Sequence, residues 1–209
     1  MTSVDVHRIF DRVAHLYDTG WLQRALYATA QEEALAQLRA ARPRSVLDVG
    51  CGTGIVADRL DRELVPGAVT GCDLSAGMLA EAAARSRRVG WVRGDSARLP
   101  LRTGSVDAVV CTQAFHFFDQ PAAWAEFRRV LSPGGHALVG MINPATAAGA
   151  RRLTRLSTRL SGTRVNWPTG PEMRDLATGA GFDVLDQRQV PYRFQRIAPL
   201  ILTVGRSPV

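Results

Sequence analysis

The sequence predicts an α/β domain: a mostly parallel, seven-stranded sheet closed by an antiparallel hairpin, with helices before and after the sheet core. Short apolar runs alternate with amphipathic segments, the pattern of βα units around one sheet. One apolar run ends in a glycine-rich turn that opens a helix, at Val46-Leu47-Asp48-Val49-Gly50-Cys51-Gly52-Thr53-Gly54. The last two strand-like runs lie only a few residues apart, around Tyr192 and Arg193. A connection that short forces them antiparallel, because a parallel crossover needs a helix or a comparable length.

Two amphipathic segments come first, at 3–16 and 21–40, the second with Leu22, Leu26, Ala30, Ala34 and Leu38 at helical spacing. Pro43 breaks the chain before strand Ser45–Val49. Helix 54–64, strand 68–72, helix 75–87 and strand 90–93 follow, with Ser75 as N-cap of the second helix. Strand 106–111, helix 120–131, strand 135–141, an arginine-rich helix at 146–161 and a short helix at 171–180 come next. Strands 182–190 and 197–205 close the chain. One domain is expected: an N-terminal helical cap (1–42), a ligand-binding core (43–141), a helical insertion or lid (142–181) and a C-terminal β-hairpin (182–209).

The 209 residues suit one domain with a proper core, and 46% hydrophobic with 22% charged residues is ordinary for a globular chain. No run approaches the ~20 apolar residues that span a bilayer. The N-terminus lacks the basic-then-apolar order of a secretion signal, so a cytoplasmic protein is expected. Net charge is +7, and all 26 basic residues are arginine, which rules out Schiff-base or P-loop lysine chemistry. The charge reflects either coding bias or an anionic partner. Cys51, Cys72 and Cys111 are too scattered for a disulfide framework or a CxxC metal site and read as small buried hydrophobes.

Glycines are needed where backbone approaches a ligand or takes positive φ, and the turn sets that ligand against a helix N-terminus. Asp48 lies two residues before the first glycine. A carboxylate there repels the pyrophosphate of a dinucleotide but favours S-adenosylmethionine (SAM), which carries a sulfonium and an ammonium and no phosphate. Asp73 ends the next strand, 19 residues beyond Gly54, and suits ribose hydroxyls, which NAD and SAM share. Leu74 and Met78 could flank an adenine face, although Met78 serves equally as helix core. Asp95 could accept from the adenine amine beside the Ser96 and Ala97 backbone. Alone, Gly94-Asp95-Ser96 reads as a surface turn. Taken together, three acidic residues at three consecutive strand ends make one ligand's footprint.

With these residues the chain resembles the class I SAM-dependent methyltransferase superfamily, whose fold is Rossmann-like. Within it the chain is most similar to the small-molecule group that includes the ubiquinone/menaquinone biosynthesis enzymes. LDVGCGTG, GCDLSAGML, GDSARLPL, VDAVVCTQAFHFF and RVLSPGGHALV carry the likeness over residues 8–141; residues 142–209 match in architecture only. The resemblance implies that Asp48, Gly50, Cys51, Gly52 and Gly54 hold the methionine end of SAM. It puts Asp73 on the ribose, Asp95, Ser96 and Ala97 on the adenine, and Thr112 and Gln113 on the methionine portion. S-adenosylhomocysteine is then the product. Leu101 stands where relatives usually carry Phe, a change of packing and not of chemistry.

His116 falls where the family's methyl group points, and its ordinary pKa near 6.5 suits a general base; the alternative is a packing or substrate-shaping histidine. Tyr17, within the family's opening Tyr17-Asp18, could cap SAM from the lid or simply pack. Phe115, Phe117, Phe118 and Trp124 argue for an apolar pocket, with some of them in the core. No Asn/Asp-Pro-Pro-Tyr/Phe follows strand four, which disfavours adenine-N6 and glutamine-amide methylation, and no Pro-Cys pair offers a cytosine nucleophile. Strand four ends on Gln113 and not a carboxylate, so a Mg²⁺ site lacks a ligand and metal-independent transfer is expected. On the arginine-rich helix, Leu153, Leu156 and Leu160 share one face and Arg152, Arg155 and Arg159 the next. This is either a solvated face on a core-packed helix or a lid from Arg151 to Arg159 that meets an anionic substrate or a lipid surface.

The leading expectation is methyl transfer from SAM to a small, mostly apolar acceptor at oxygen, carbon or nitrogen. The alternatives are a nucleic-acid (RNA) methyltransferase, which charge alone suggests, a non-catalytic SAM-binding protein, and an NAD-dependent reductase, disfavoured by Asp48 and the hairpin.

Overall fold

The structure is a computed structural model that describes residues 21–65, 67–144, 146–161, 165–191 and 199–209. Its elements run α1 (Trp21–Ala41), β1 (Val46–Val49), α2 (Ile55–Glu63), β2 (Val69–Asp73), α3 (Ala76–Arg85) and β3 (Gly90–Arg93). They continue with β4 (Val106–Thr112), a 3-10 turn (Phe115–Phe117), α4 (Gln120–Val130), β5 (Leu131–Ile142), α5 (Ala147–Ser161), α6 (Gly170–Gly179), β6 (Asp183–Val190) and β7 (Leu200–Arg206). Helix ends follow local chemistry. Ser75 caps α3 by accepting from the Met78 N–H, as its position predicts, and Asp119 caps α4 with Pro121 in the first turn. Thr169 and Glu172 form a capping box on α6.

The strands form one seven-stranded sheet in the order β3-β2-β1-β4-β5-β7-β6. The first five are parallel, and β7 runs antiparallel to both β5 and β6. The expected hairpin is present, with β7 inserted between β5 and β6. From β1 the chain builds outward to β2 and β3, then returns to lay β4 on the other side. Order therefore reverses between β1 and β4, and that reversal opens a crevice at the C-terminal ends of those strands.

Strand β5 begins four residues earlier than the predicted 135, at Leu131. Gly135 is the reason: a Cβ there would lie 2.9 Å from the Asp107 carbonyl, so only glycine lets the strand press against β4 this early.

Side chains alternate between the two faces. On one, Leu47, Val49, Val109, Cys111, Val139 and Met141 pack beneath α4 and α6 with Phe115, Trp124, Phe127, Met173 and Phe182. On the other, Val46, Ala108, Val110, Leu138, Leu200 and Leu202 pack under α1 and α2 with Ala30, Ala34, Leu35, Leu38, Val56 and Leu60. Trp124 is fully buried and makes edge contacts with Phe115, Phe127 and Phe182 at centroid distances of 5.7, 5.8 and 5.1 Å. Its indole N–H has no hydrogen-bond partner among the described residues. Trp124→Ala should cost about 3–5 kcal/mol. Trp124→Phe, which removes the unpaired donor along with some volume, should cost under about 1.5 kcal/mol. Urea unfolding of both variants checks the contrast.

Candidate active site at the strand-order reversal

The glycine turn is built by backbone. The N–H groups of Gly50 and Cys51 donate to the Cys72 carbonyl at 2.8 and 3.2 Å, tying the turn to the end of β2. Gly50, Gly52 and Gly54 all take positive φ, at 70°, 53° and 79°. Their surroundings differ. A Cβ on Gly50 would stand 2.4 Å from the Ala114 side chain, whereas one on Gly52 would meet nothing within 4 Å. Gly52 thus faces open space, and its N–H donates to Asp73 Oδ2 at 2.9 Å. Asp73 Oδ1 accepts from the Ser75 N–H at 2.9 Å.

Asp48 lies on the face of β1 covered by α2 and is 1% exposed. The Ala57 N–H hydrogen-bonds to its carboxyl group. Oδ2 has no partner. Burial first, and the Asp73 charge second, push its pKa up to about 7, against the bond from Ala57. Across the crevice, Gln113 follows β4 with φ 56°, a left-handed conformation uncommon outside glycine. Its N–H donates to the Gly140 carbonyl at 2.8 Å, and its buried Nε2 has no partner among the described residues. Strained backbone and an unpaired buried amide at a crevice are what a ligand site retains. Thr112, just before it, is half-buried.

Asp95 begins the turn after β3. Its Oδ1 accepts from the Ala97 N–H at 2.9 Å, and the Arg98 N–H reaches its carbonyl. Ser96 is buried in this turn. Arg129 holds the segment that follows, a role the sequence reading missed. It donates to the Leu99 and Leu101 carbonyls at 2.9 and 2.8 Å, while Glu126 accepts from the Leu99 N–H at 2.7 Å and pairs with Arg129. The Glu-x-x-Arg spacing on a helix was the available signal. Leu74 is half-buried, and Met78 is 2% exposed on α3.

His116 is buried, with Nδ1 unpartnered among the described residues. Desolvation lowers its pKa to about 3, so it is neutral at neutral pH. Trp167 stacks on it at 4.0 Å with a 13° interplanar angle, and Phe117 sits at 4.1 Å. Trp167 was also missed, because nothing local links residues so far apart. A strap before α6 carries it there. The Asn166 N–H donates to the His116 carbonyl at 2.8 Å, and the Asn166 side chain donates to Gln120 Oε1 at 2.8 Å. Phe115 and Trp124 belong to the core and not to a pocket wall; Phe117 and Phe118 are half-buried. Tyr17 lies outside the described residues.

The cysteines are free and buried. Burial, with the charges of Asp48 and Asp73, holds the Cys51 and Cys111 thiols well above their ordinary pKa and pushes Cys72 up to about 12, so all three stay protonated.

The donor set fits a zwitterion: a buried unpaired acceptor on Asp48 for an ammonium, and a buried unpaired donor on Gln113 for a carboxylate. Asp73 and Asp95 stand at the two neighbouring strand ends. Residues 47–139 match the methyltransferase-domain family Methyltransf_11. The chain is 40% identical over 152 residues to the ubiquinone/menaquinone biosynthesis C-methyltransferase UbiE of Paracoccus denitrificans, covering 64% of this chain and 57% of that one. It is 34% identical over 196 residues to a malonyl-[acyl-carrier protein] O-methyltransferase of a Methylovorus species, covering 87% of this chain and 64% of the relative. The chain spans about half the length of several curated relatives it matches. Among solved structures, a methyltransferase in complex with the Haloferax volcanii Trm112 activator superposes with TM-score 0.81 at 22% identity, covering 96% and 98% of the two chains. Residues 47–139 thus match a methyltransferase domain, and the whole chain is similar in fold to the class I SAM-dependent methyltransferases.

Two stability effects follow. Unfolded Asp48 ionises near 3.8 and folded Asp48 near 7. Between those values the folded chain keeps a proton that the unfolded chain has lost. The group therefore lowers stability as pH rises through that window, and the cost is constant above it. Asp48→Asn, which can still accept from Ala57, should stabilise the ligand-free protein at about pH 8 by roughly 2–4 kcal/mol, and the gain should vanish near pH 4. His116 has the opposite sign: its neutral form is favoured in the fold, so its contribution fades as pH falls from 6.5 toward about 3. Denaturant titrations of Asp48→Asn across pH are the check, and no gain at pH 8 would sink the idea of a buried, uncompensated carboxylate. Gly50→Ala should cost more than about 3 kcal/mol through clash, and Gly52→Ala only about 1 kcal/mol through backbone strain.

Proposed function

We propose that this chain transfers the methyl group of SAM to a small, mostly apolar acceptor at oxygen, carbon or nitrogen, without a metal. The observation that carries the reading is the pair of buried, unpaired groups, Asp48 Oδ2 and Gln113 Nε2, flanking the point where strand order reverses. SAM supplies an electrophilic methyl on a sulfonium. Asp48 receives the ammonium, Gln113 the carboxylate, and Gly52, with no side chain, leaves room for the chain between them. Thr112 and the Gly50–Gly54 backbone with Cys51 complete the methionine end. Asp73 holds the ribose, and Asp95, Ser96 and Ala97 the adenine, with Leu74 and Met78 beside it. The described part of the N-terminal cap (1–42), helix α1, lies on one face of this core (43–141), and residues 142–181 form the acceptor-side lid before the hairpin (182–209).

His116 is proposed to meet the acceptor. Its Nδ1 can accept a hydrogen bond and orient a hydroxyl, but a group with a pKa of about 3 is a weak proton acceptor. The acceptor is therefore one whose nucleophile is already activated, such as an enolate, a phenolate or an electron-rich carbon. Named relatives on quinone and malonyl-carrier substrates support a small-molecule acceptor. No described helix is long and apolar enough to cross a membrane, and the free, buried thiols accord with a cytoplasmic setting.

Calorimetry with SAM, S-adenosylhomocysteine and NADH tests the cofactor. The adenosyl ligands should bind in the micromolar range, Asp73→Ala should abolish binding, and NADH should be silent; NADH binding alone would overturn the reading. Because the cation draws Asp48 into its ionised form, binding should release a proton below pH about 7, and affinity should fall as pH drops. Heats measured in two buffers of different ionisation enthalpy detect that proton. His116→Ala should leave SAM affinity unchanged and lower methyl transfer by about 10²-fold. The wild-type rate should show no titration of His116 near pH 6.5.

A further inference from the structure

Helix α5 is built with its apolar stripe unspent. On a helical projection Arg151, Arg155, Arg159 and Arg152 occupy one continuous face, Leu156, Leu160 and Leu153 the adjoining one, and Thr154, Ser157 and Thr158 the remainder. A core-packed helix would turn its leucines inward. Here the hydroxyl face turns inward. Thr154 Oγ1 accepts from the Trp167 N–H at 3.1 Å, Ser157 Oγ accepts from the Trp167 indole at 3.0 Å, and Thr158 Oγ1 accepts from the Val165 N–H at 3.2 Å. Leu153 is only half-buried, Leu156 is 52% exposed, and neither joins a core cluster. The four arginines are exposed, and none forms an ion pair with a described carboxylate. The sequence holds no Asp or Glu between Glu126 and Glu172.

We propose that α5 is an interfacial helix that docks on an anionic lipid surface. Leu153 and Leu156 enter the acyl boundary while the arginines beside them reach the phosphates. Long arginine side chains next to an apolar stripe suit that boundary, where stem and head require different media. A purely electrostatic partner, such as an acidic protein, would use the arginines and leave Leu156 without a role. The strap that α5 holds also carries Trp167 onto His116, so the docked helix would stand beside the acceptor region. That last step rests on the methyl-transfer reading; the lipid contact does not.

The test is sedimentation of the full chain with vesicles, at about 0.1 M salt and again at about 0.5 M, where surface charges are screened. Vesicles containing phosphatidylglycerol should capture the chain, phosphatidylcholine alone should not, and high salt should release most of it. At about fivefold per arginine, Arg151→Gln/Arg155→Gln/Arg159→Gln should weaken partitioning by about 100-fold. Leu156→Ser should weaken it by about five- to tenfold. All these side chains are exposed, so thermal melting should match wild type. Equal capture by both vesicle types, or undiminished capture of the triple variant, overturns the proposal. Full capture of Leu156→Ser with loss of the triple variant also overturns it, in favour of a polyanion or acidic-protein surface. SAM binding, measured in parallel, fails or succeeds independently of these outcomes.

Discussion

A buried carboxylate beneath a helix, with one oxygen unpaired among the described residues, is a costly feature, and the arrangement around the crevice turns on it. Asp48 cannot be relieved from within the fold. The Ala57 N–H reaches its carboxyl group, Asp73 repels it, and the sheet closes off water. A buried acceptor in that state selects for a cation more strongly than any exposed carboxylate could, because the attraction acts where solvent does not screen it. The glycine turn keeps the approach open. With Gly52 lacking a side chain and Gly50 letting the backbone cross Ala114, a ligand can come down onto strand ends that ordinary residues would block.

The same physics acts with opposite sign across the crevice. Burial that drives a carboxyl toward its neutral form also drives an imidazole toward its neutral form, so Asp48 and His116 are both uncharged in the ligand-free site at slightly acid pH. The two contributions to stability then oppose each other between roughly pH 4 and 6.5, since one group has kept a proton and the other has refused one. A cation restores the first charge. Nothing among the described residues restores the second, because Trp167 stacks on the ring and Phe117 lies tilted against it. On the proposed reading, charge on the cofactor side is therefore set by the ligand, while the acceptor side stays apolar.

What could be read from the sequence was what local chemistry determines. Ser75 and the Asp119-Gln120-Pro121 start mark their helices, because a cap is satisfied within its own turn. The strand-end positions of Asp48, Asp73 and Asp95 were legible because each sits at a fixed offset from its strand, and parallel register then aligns the ends. Strand order was not legible, since it depends on which edges remain free once α1 and α2 have covered one face. Trp167 on His116 was not legible either: it requires the Asn166–Gln120 bonds and the α5 hydroxyls together. The leucines of α5 reversed the ordinary reading. Periodicity shows that an apolar face exists, but what covers that face is settled by neighbours that the period does not encode.

On the proposed methyl-transfer reading, these asymmetries constrain the acceptor as much as the cofactor. Methyl transfer in line with a sulfonium needs alignment and exclusion of water more than it needs a strong base. The strap supplies alignment: Asn166 fixes the His116 backbone, Gln120 fixes Asn166, and Trp167 lies flat against the imidazole. With no described carboxylate paired to Nδ1, the imidazolium that proton removal would create has nothing to stabilise it. An acceptor that arrived neutral and weakly acidic would leave its proton stranded in an apolar wall. One that already carries a nucleophilic electron pair asks of this site only shape, an apolar wall and a single hydrogen bond, which Phe117, Trp167 and the unpaired His116 nitrogen are proposed to provide.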